Sequence, residues 1–270
     1  MAGGESSSFR TRRRFIQSNG ELAWGGGDGE SWVEAIESSD GITVTADGAI
    51  AASEIPESGI SRYTFEETVD STLVDVWNGY NGVINGPSYD SDSVEGSRSL
   101  RFGDGDYVNL GQYSAHEFAA GESFTVTWWR KSSDTGNAAY IANSYSQDAS
   151  GQQQPWYLAR PKNQAEFYLR DTNGDNFHAQ GPNIADNEWH MQTCVYDAEA
   201  AEIRLYIDGV LEATVGGVTE EPYGNNGGDF ILGSHSVYYL FGRMDDLRLY
   251  GKALVETEVV NLRDTGSITR

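Results

Sequence analysis

The sequence predicts an all-β protein, a two-sheet antiparallel sandwich closed by one short helix. After Pro56, apolar runs of about 5–9 residues alternate with clusters of Gly, Asn and Asp, which is the spacing of a β sandwich. Only Leu254–Leu262 places apolar residues at a helical period. No apolar run approaches the roughly 18 residues of a membrane-spanning helix, so we expect no membrane insertion.

The strand pattern recurs in short segments that turn residues separate. The predicted strands are residues 63–66, 99–102, 107–110, 123–130, 139–142, 156–159, 166–170, 189–196, 203–207, 211–215, 230–233 and 242–250. Asp208-Gly209 lies between two alternating runs and predicts a hairpin turn. Trp128 and Trp129 are adjacent in one strand, so one should enter the core and the other a second layer or the surface.

The residues before the sandwich differ in composition. Residues 1–30 are polar and Gly-rich, which predicts an extended N-terminal assembly arm, and residues 31–60 predict a small connector or stalk. The sandwich is expected over residues 61–264, followed by a tail, 265–270. The residues assigned to assembly by the arm are Arg12, Arg13, Arg14 and Phe15. This run also begins like a twin-arginine export signal, but the apolar run that such a signal needs does not follow.

The charge balance is strongly acidic. The 270 residues include 41 acidic and 18 basic side chains, a formal net charge of −23, and only three of the basic residues are lysines. This composition is typical of proteins from salt-loving organisms and does not favour a nucleic-acid partner, which needs a basic surface. Cys194 is the only cysteine, so no internal disulfide or thiolate cluster is expected, and it is interpreted as a buried small apolar residue.

Several phrases, read in order, carry a family resemblance. They are Y-T-F-E-E at 63–67 followed by Asp70-Ser71, L-R-F-G-D-G-D-Y-V at 100–108, F-T-V-T-W-W at 124–129, L-Y-I-D-G-V at 205–210 and F-G-R-M-D-D-L-R-L-Y at 241–250. Together they resemble the laminin-G-like, concanavalin A-like jelly-roll domains, with Gly103 where Asp is more usual. The resemblance implies a jelly-roll sandwich that works outside cells.

The resemblance also implies a calcium ion that pins the opening strand to the last one. Its candidate ligands are Glu66, Glu67, Asp70 and Asp246, since calcium takes hard oxygen ligands. The alternative is that Asp245 and Asp246 pair with Arg243 or Arg248, or are solvated. As neighbours in a strand, the two aspartates are expected to face opposite sides.

Ligand binding in such sandwiches uses loops and aromatic rings. Two loops, residues 145–156 and 223–241, carry the candidate glycan-binding residues Tyr145, Trp156, Tyr223, His235, Tyr238 and Tyr239. The alternative is that these rings only fill the fold. No strand carries the paired carboxylates of a glycoside hydrolase, and the four histidines are scattered, so no enzymatic activity is predicted.

Three functions remain open at this point. In the first, the chain is a virion appendage component, a spike, turret or tail fibre of a halophilic virus. It would bind host surface glycans or glycoprotein, contact other virion subunits through its arm and form a homo-oligomer. In the second, it is a secreted or cell-surface carbohydrate-binding adhesin of a halophilic archaeon. In the third, it is a purely structural decoration protein of a particle.

Overall fold

A computed structural model describes residues 59–67, 71–116, 118, 121–135, 164–171, 175–218, 229–234 and 239–268, and the backbone of short strands elsewhere. It divides the chain into two compact units, residues 1–57 with 269–270, and Ser58–Ile268. Within this described part, no helix has the length and apolar character needed to cross a membrane.

The first unit contains three short strands. They are β1 (Arg14–Gln17), β2 (Leu22–Trp24) and β3 (Trp32–Glu34), which form an antiparallel sheet in the order β2-β1-β3. The residues predicted to serve assembly divide here. Arg14 and Phe15 begin β1, whereas Arg12 and Arg13 lie outside the described residues. The predicted arm therefore carries two strands of a small sheet.

The second unit contains the remaining strands and one α-helix. They are β4 (Ser61–Tyr63), β5 (Thr72–Leu73), β6 (Gly82–Asn85), β7 (Ser88–Asp90), β8 (Ser99–Phe102), β9 (Tyr107–Asn109), β10 (Phe124–Lys131), β11 (Ile141–Asn143), β12 (Ser146–Gln147), β13 (Gln153–Gln154), β14 (Tyr157–Pro161), β15 (Ala165–Arg170), β16 (Asn176–Gln180), β17 (Trp189–Asp197), β18 (Glu202–Ile207), β19 (Val210–Gly216), β20 (Phe230–Leu232), β21 (Ser234–His235), β22 (Tyr238–Tyr239), β23 (Gly242–Tyr250) and α1 (Glu256–Thr265). A 3-10 turn spans Ser114–His116.

Two eight-stranded antiparallel sheets organise this unit. The first has the order β19-β18-β17-β10-β23-β8-β7, with β4 also paired to β23, and the second has the order β16-β15-β14-β11-β20-β9-β6-β5. The hairpins β12–β13 and β21–β22 form separate two-stranded sheets. The predicted all-β jelly-roll sandwich with a short C-terminal helix is confirmed, and the predicted 61–264 range lies inside this unit.

The core lies between the two sheets, and adjacent residues of β10 show its alternation. Trp128 is 1% exposed and packs in the inter-sheet core. Trp129 packs on the other face, in a second apolar cluster that includes Leu262 of α1. A buried Trp removes about 150–250 Å² from water, worth roughly 4–6 kcal/mol, so Trp128 is a principal anchor of the sandwich.

The helix begins and ends later than the apolar period predicts. Val255 has extended backbone angles, and its N–H donates to the Glu258 carboxylate at 3.0 Å, so the first helical residue is Glu256. At the other end Gly266 takes a left-handed φ of 68°, and its N–H donates to Leu262. A glycine in this conformation is the usual stop signal of a helix. The capping residues therefore set both ends.

Candidate ligand-binding site

The residues predicted to bind glycan fall into two groups. Three of them lie outside the described residues: Tyr145, Trp156 and Tyr223. The other three lie together on the β21–β22 hairpin, where the backbone of His235 pairs with that of Tyr238, and Tyr239 follows. Two residues later comes Phe241, whose side chain is 46% exposed. The hairpin thus leads the chain to an exposed aromatic ring at the start of β23.

The first two predicted calcium ligands, Glu66 and Glu67, accept hydrogen bonds from neighbouring segments of the chain. Glu66 accepts hydrogen bonds from the Ser97 N–H (2.8 Å), the Ser97 hydroxyl (2.7 Å) and the Arg98 N–H (2.8 Å). Partial burial raises the pKa of Glu66, but these bonds outweigh it and hold the pKa below its usual range. Glu67 accepts the Tyr89 hydroxyl at 3.1 Å. Both carboxylates therefore hold the opening segment against the segment around β7 and β8.

Another candidate ligand, Asp246, bridges two arginines. Its Oδ1 accepts from Arg62 Nε at 2.8 Å and its Oδ2 from Arg248 Nε at 2.9 Å, and Arg248 is 1% exposed. This is the ion pair that the sequence left as the alternative to calcium. Asp70, the remaining candidate, lies outside the described residues.

The Asp246 carboxylate does not fit a calcium ion in the arrangement it has. Two guanidinium groups already neutralise Asp246, and a cation placed there would face their positive charge. Among the described residues, no group of three or more His, Cys, Asp or Glu side chains could hold a metal. Calcium binding stays a prediction, which chelation tests.

Asp245 is fully buried and differs from its neighbour. Its carboxylate accepts the N–H groups of Val94 (2.8 Å), Glu95 (3.0 Å) and Asp246 (2.8 Å). Burial raises the pKa of Asp245 to about 7, against the lowering by these three donors. β23 has an irregular register with β10 at this point, and Asp246 has a positive φ of 41°. The simple alternation expected for the two aspartates is therefore interrupted here.

A cleft of about 500 Å³ opens at the start of β23 beside Phe241. One row of cross-strand neighbours contributes to its lining. Ser88 of β7 pairs with Arg101 of β8, Arg101 with Arg243 of β23, and Arg243 with Lys131 of β10. The cleft therefore combines hydroxyl, guanidinium and ammonium donors with an exposed aromatic ring.

Carboxylates neutralise part of this row. Asp90 Oδ2 lies 2.9 Å from Arg243 Nη2, and Asp92 Oδ2 lies 3.1 Å from Lys131 Nζ. The backbone N–H of Asp92, and then Arg243, lower the pKa of Asp90. Partial burial raises the pKa of Asp92, but Trp189, which donates its indole N–H at 2.9 Å, and Lys131 lower it overall. Both carboxylates are thus held in the ionised form.

The backbone beside the cleft depends on one glycine. A Cβ on Gly242 would lie 2.6 Å from the Lys131 carbonyl oxygen and 2.9 Å from Ser132 Cβ, so only glycine fits between β23 and β10 here. The Ser132 hydroxyl also donates to the Phe241 carbonyl oxygen. These contacts fix the backbone of Phe241 at the edge of the cleft.

Sequence reasoning did not identify the basic residues of this cleft. Arg101, Lys131 and Arg243 lie on separate segments, and only the strand order β8-β23-β10 brings them together. The sequence did hold one local indication of where Lys131 lies. Lys131 follows Trp129 by two positions, so both side chains lie on the same face of β10, the face away from the inter-sheet core. Their pairing depends on which strands are neighbours, which the sequence pattern does not specify.

A larger cleft, of about 850 Å³, lies near residues 114–123 and 251–255. Its charged lining residues are Glu122, Asp197, Glu199 and Lys252. The aromatic ring on its wall, Phe118, is only 6% exposed. Acidic groups therefore predominate, and this cleft offers a saccharide no comparable aromatic face.

The described histidines bind structural partners. His116 Nε2 lies 2.8 Å from the Ser61 hydroxyl, the distance of a nucleophile and its base, but Ser61 is 0% and His116 1% exposed. Burial also lowers the pKa of His116 to about 4. His178 pairs with Glu166 at 2.8 Å, and His190 with Asp208 at 2.7 Å. The Ser61–His116 pair is thus closed to a substrate in this structure.

A comparison with known protein families identifies the superfamily of this fold. A family model described as the concanavalin A-like lectin/glucanases superfamily matches residues 102–260. The chain belongs to the concanavalin A-like lectin/glucanase superfamily. The match begins in β8 and ends within α1, so it includes Lys131, Phe241 and Arg243 of the cleft, whereas Ser88 and Arg101 lie before it. A search of curated proteins found no match.

Solved structures with the same fold include toxin binding domains. The binding domain of Paraclostridial Mosquitocidal Protein 1 has a TM-score of 0.64 and 17% identity over 77% of this chain and 52% of that one. The binding domains of botulinum neurotoxin serotypes D and G have TM-scores of 0.59 and 0.56, with 15% and 17% identity. They cover 77% and 76% of this chain, and 51% and 50% of those chains. This superfamily member thus spans about half the length of each.

Proposed function

We propose that this chain is a non-catalytic recognition module that binds saccharides or glycoprotein on a surface. The cleft beside Phe241 carries the proposal, because an exposed aromatic ring lies there with the polar side chains of Arg101 and Asn187. Saccharide sites combine a ring that packs on the C–H face of the sugar with polar groups that bind its hydroxyls. The similar structures described as binding or receptor binding domains support the same class of function.

The charge state of Asp90 and Asp92, which pair with two cations of the cleft, supports binding rather than glycoside hydrolysis. Hydrolysis needs one protonated carboxylic acid with a raised pKa beside a second carboxylate. Asp90 and Asp92 have lowered pKa values instead, because Arg243 and Lys131 are among the groups that stabilise their charges. Neither carboxylate has the environment of a general acid.

A glycan array with the full chain tests this function. We expect saccharide hits that Phe241→Ala weakens at least tenfold, about 1.4 kcal/mol, because the ring supplies the apolar contact. The matched control is Val210→Ala, since Val210 is also exposed, at 56%, on a different hairpin. An array without hits, or hits that Phe241→Ala leaves unchanged, would contradict the proposal.

We further propose that the module is a virion appendage component, a spike, turret or tail fibre of a halophilic virus, that binds host glycoprotein. The excess of 41 acidic over 18 basic residues supports a high-salt setting. The separate first unit, with its basic run at residues 10–14, supports an assembly role toward other subunits.

Light scattering after size-exclusion chromatography in molar NaCl tests the assembly role. The full chain is compared with a chain that starts at Ser58, where the second unit begins. We expect the full chain to form a homo-oligomer and the shortened chain to be a monomer. Two monomers would favour the secreted or cell-surface adhesin instead. An oligomer that binds no host envelope material would favour the structural decoration protein.

A further inference from the structure

Three basic residues share one row of the first sheet. Arg101 lies opposite Arg243, and Arg243 opposite Lys131. Residues directly opposite each other in an antiparallel pair have Cβ atoms about 4.5–5.5 Å apart, and like charges there are destabilising. In a chain with 18 basic residues and a net charge of −23, such a row requires an explanation.

Nearby carboxylates account for two of the three cations. Asp90 binds Arg243 and Asp92 binds Lys131, with N–O distances of 2.9 and 3.1 Å. Arg101 differs, because its side chain is exposed and makes no hydrogen bond or salt bridge to any residue that the structure describes. Its charge contributes to the lowered pKa of Asp90, less than the other groups around that carboxylate do.

Asp106, the carboxylate that lines the cleft, does not compensate Arg101. Asp106 accepts the Gly103 N–H at 2.7 Å, which commits one of its oxygens to the β8–β9 turn. The planar fork of N–H donors on Arg101 therefore remains open to a ligand. Phe241 lines the same cleft.

We propose that this cleft selects saccharides that carry a carboxylate or sulfate group, and that Arg101 binds that group. The proposal rests on the proposed saccharide-binding function and specifies its ligand class. A guanidinium matches an oxyanion with two parallel hydrogen bonds, which is geometry that an ammonium group does not supply. Phe241 packs against the ring of the sugar, and the exposed side chains of Ser88 and Asn187 bind its hydroxyls.

The overall charge of the chain makes a preference for acidic saccharides a specific indication of this contact. A surface with a net charge of −23 repels an acidic saccharide at long range, so non-specific attraction does not produce binding. Molar salt screens that repulsion. A short-range bidentate contact depends less on salt than long-range attraction does.

Calorimetry with two matched pairs of probes tests the proposal on the full chain. The first pair is a tetrasaccharide of α-1,4-galacturonate and its methyl ester, which keeps the backbone and removes the charge. The second pair is sulfated maltotetraose and maltotetraose. We expect an acidic probe to bind at least tenfold more tightly than its neutral partner, and Arg101→Gln to remove that difference. Lys252→Gln, which changes the net charge equally at an exposed position, should leave it unchanged.

The outcomes separate this proposal from the proposed function. Equal binding of charged and neutral probes, or a preference for the acid that survives Arg101→Gln, overturns the acidic specificity and leaves saccharide binding standing. Absence of binding by all four probes, together with an array without hits, overturns both. A preference for only the carboxylate or only the sulfate supports the proposal and identifies the group.

Discussion

Replacing Asp246 by Asn tests what this buried carboxylate does. The change removes the negative charge between Arg62 and Arg248, of which Arg248 is 1% exposed and the side chain of Arg62 is 25% exposed. Removing one partner of a buried ion pair costs about 3–5 kcal/mol. Asn keeps the shape and one acceptor oxygen, and Arg248 still donates to the Gly266 carbonyl oxygen at 2.6 Å. We therefore expect Asp246→Asn to lower the free energy of unfolding by about 3 kcal/mol, the lower end of that range.

The assay is unfolding in guanidinium chloride and by heat, followed by tryptophan fluorescence. For a unit the size of Ser58–Ile268, about 3 kcal/mol corresponds to a fall of about 6–12 °C in melting temperature. The control is Asp264→Asn, because Asp264 forms an exposed pair with Arg263 at 2.7 Å and should contribute less than about 1 kcal/mol.

The same melts with and without EDTA separate the two roles of Asp246. If its role is the arginine pair, EDTA changes neither protein and the variant melts lower in both conditions. If Asp246 is a calcium ligand, EDTA lowers the melting temperature of the natural protein and leaves the variant unchanged. A loss below about 1 kcal/mol for Asp246→Asn would refute the reasoning from the buried pair.

Three further predictions concern other buried groups. Asp245 has a folded-state pKa of about 7, above its usual 3.8, so the folded state binds the extra proton and stability should fall as pH rises from about 4 to 7. Asp245→Asn should flatten that slope in denaturant titrations, and parallel slopes would contradict this. Asp75→Ala should cost about 3 kcal/mol in denaturant midpoints, because the Asp75 carboxylate accepts four backbone N–H groups of its loop and β4, whereas the exposed Asp104→Ala should cost little. Burial raises the pKa of Cys194, so iodoacetamide should label it only after unfolding, and labelling of the native chain would show that this interior opens.

The features that depend on local chemistry could be predicted from the sequence. Trp128 and Trp129 face opposite sides as their adjacency requires. Asp208 and Gly209 form the predicted turn, with φ values of 50° and 79° at the two central positions. The Asp208 carboxylate also accepts the Met191 N–H at 2.8 Å, which holds the hairpin against β17. Alternation and turn residues suffice for such elements because each is decided within a few positions.

Features decided by distant partners could not be predicted. The sequence of β7, Ser88–Asp90, shows no apolar alternation, and none of its residues is fully buried. Only its pairing with β8 makes it a strand. Asp245 and Asp246 lie where the register between β23 and β10 is irregular. This irregularity depends on the pairing of the two strands, which the sequence of β23 alone does not show. The same limit applies to the candidate site, since the neighbours of Arg243 lie on strands far apart in the chain.

The strand β23 connects the cleft to the place where the chain enters the second unit. Near one end of this nine-residue strand, the Ile60 N–H donates to the Leu249 carbonyl oxygen, where the chain enters the second unit. Arg243 and the cleft lie at the other end, about 20 Å away at the usual rise per residue. A force that pulls a ligand in the cleft away from residue 60 therefore acts along the length of β23. Its hydrogen bonds to β10 then share the force in shear and do not open one after another.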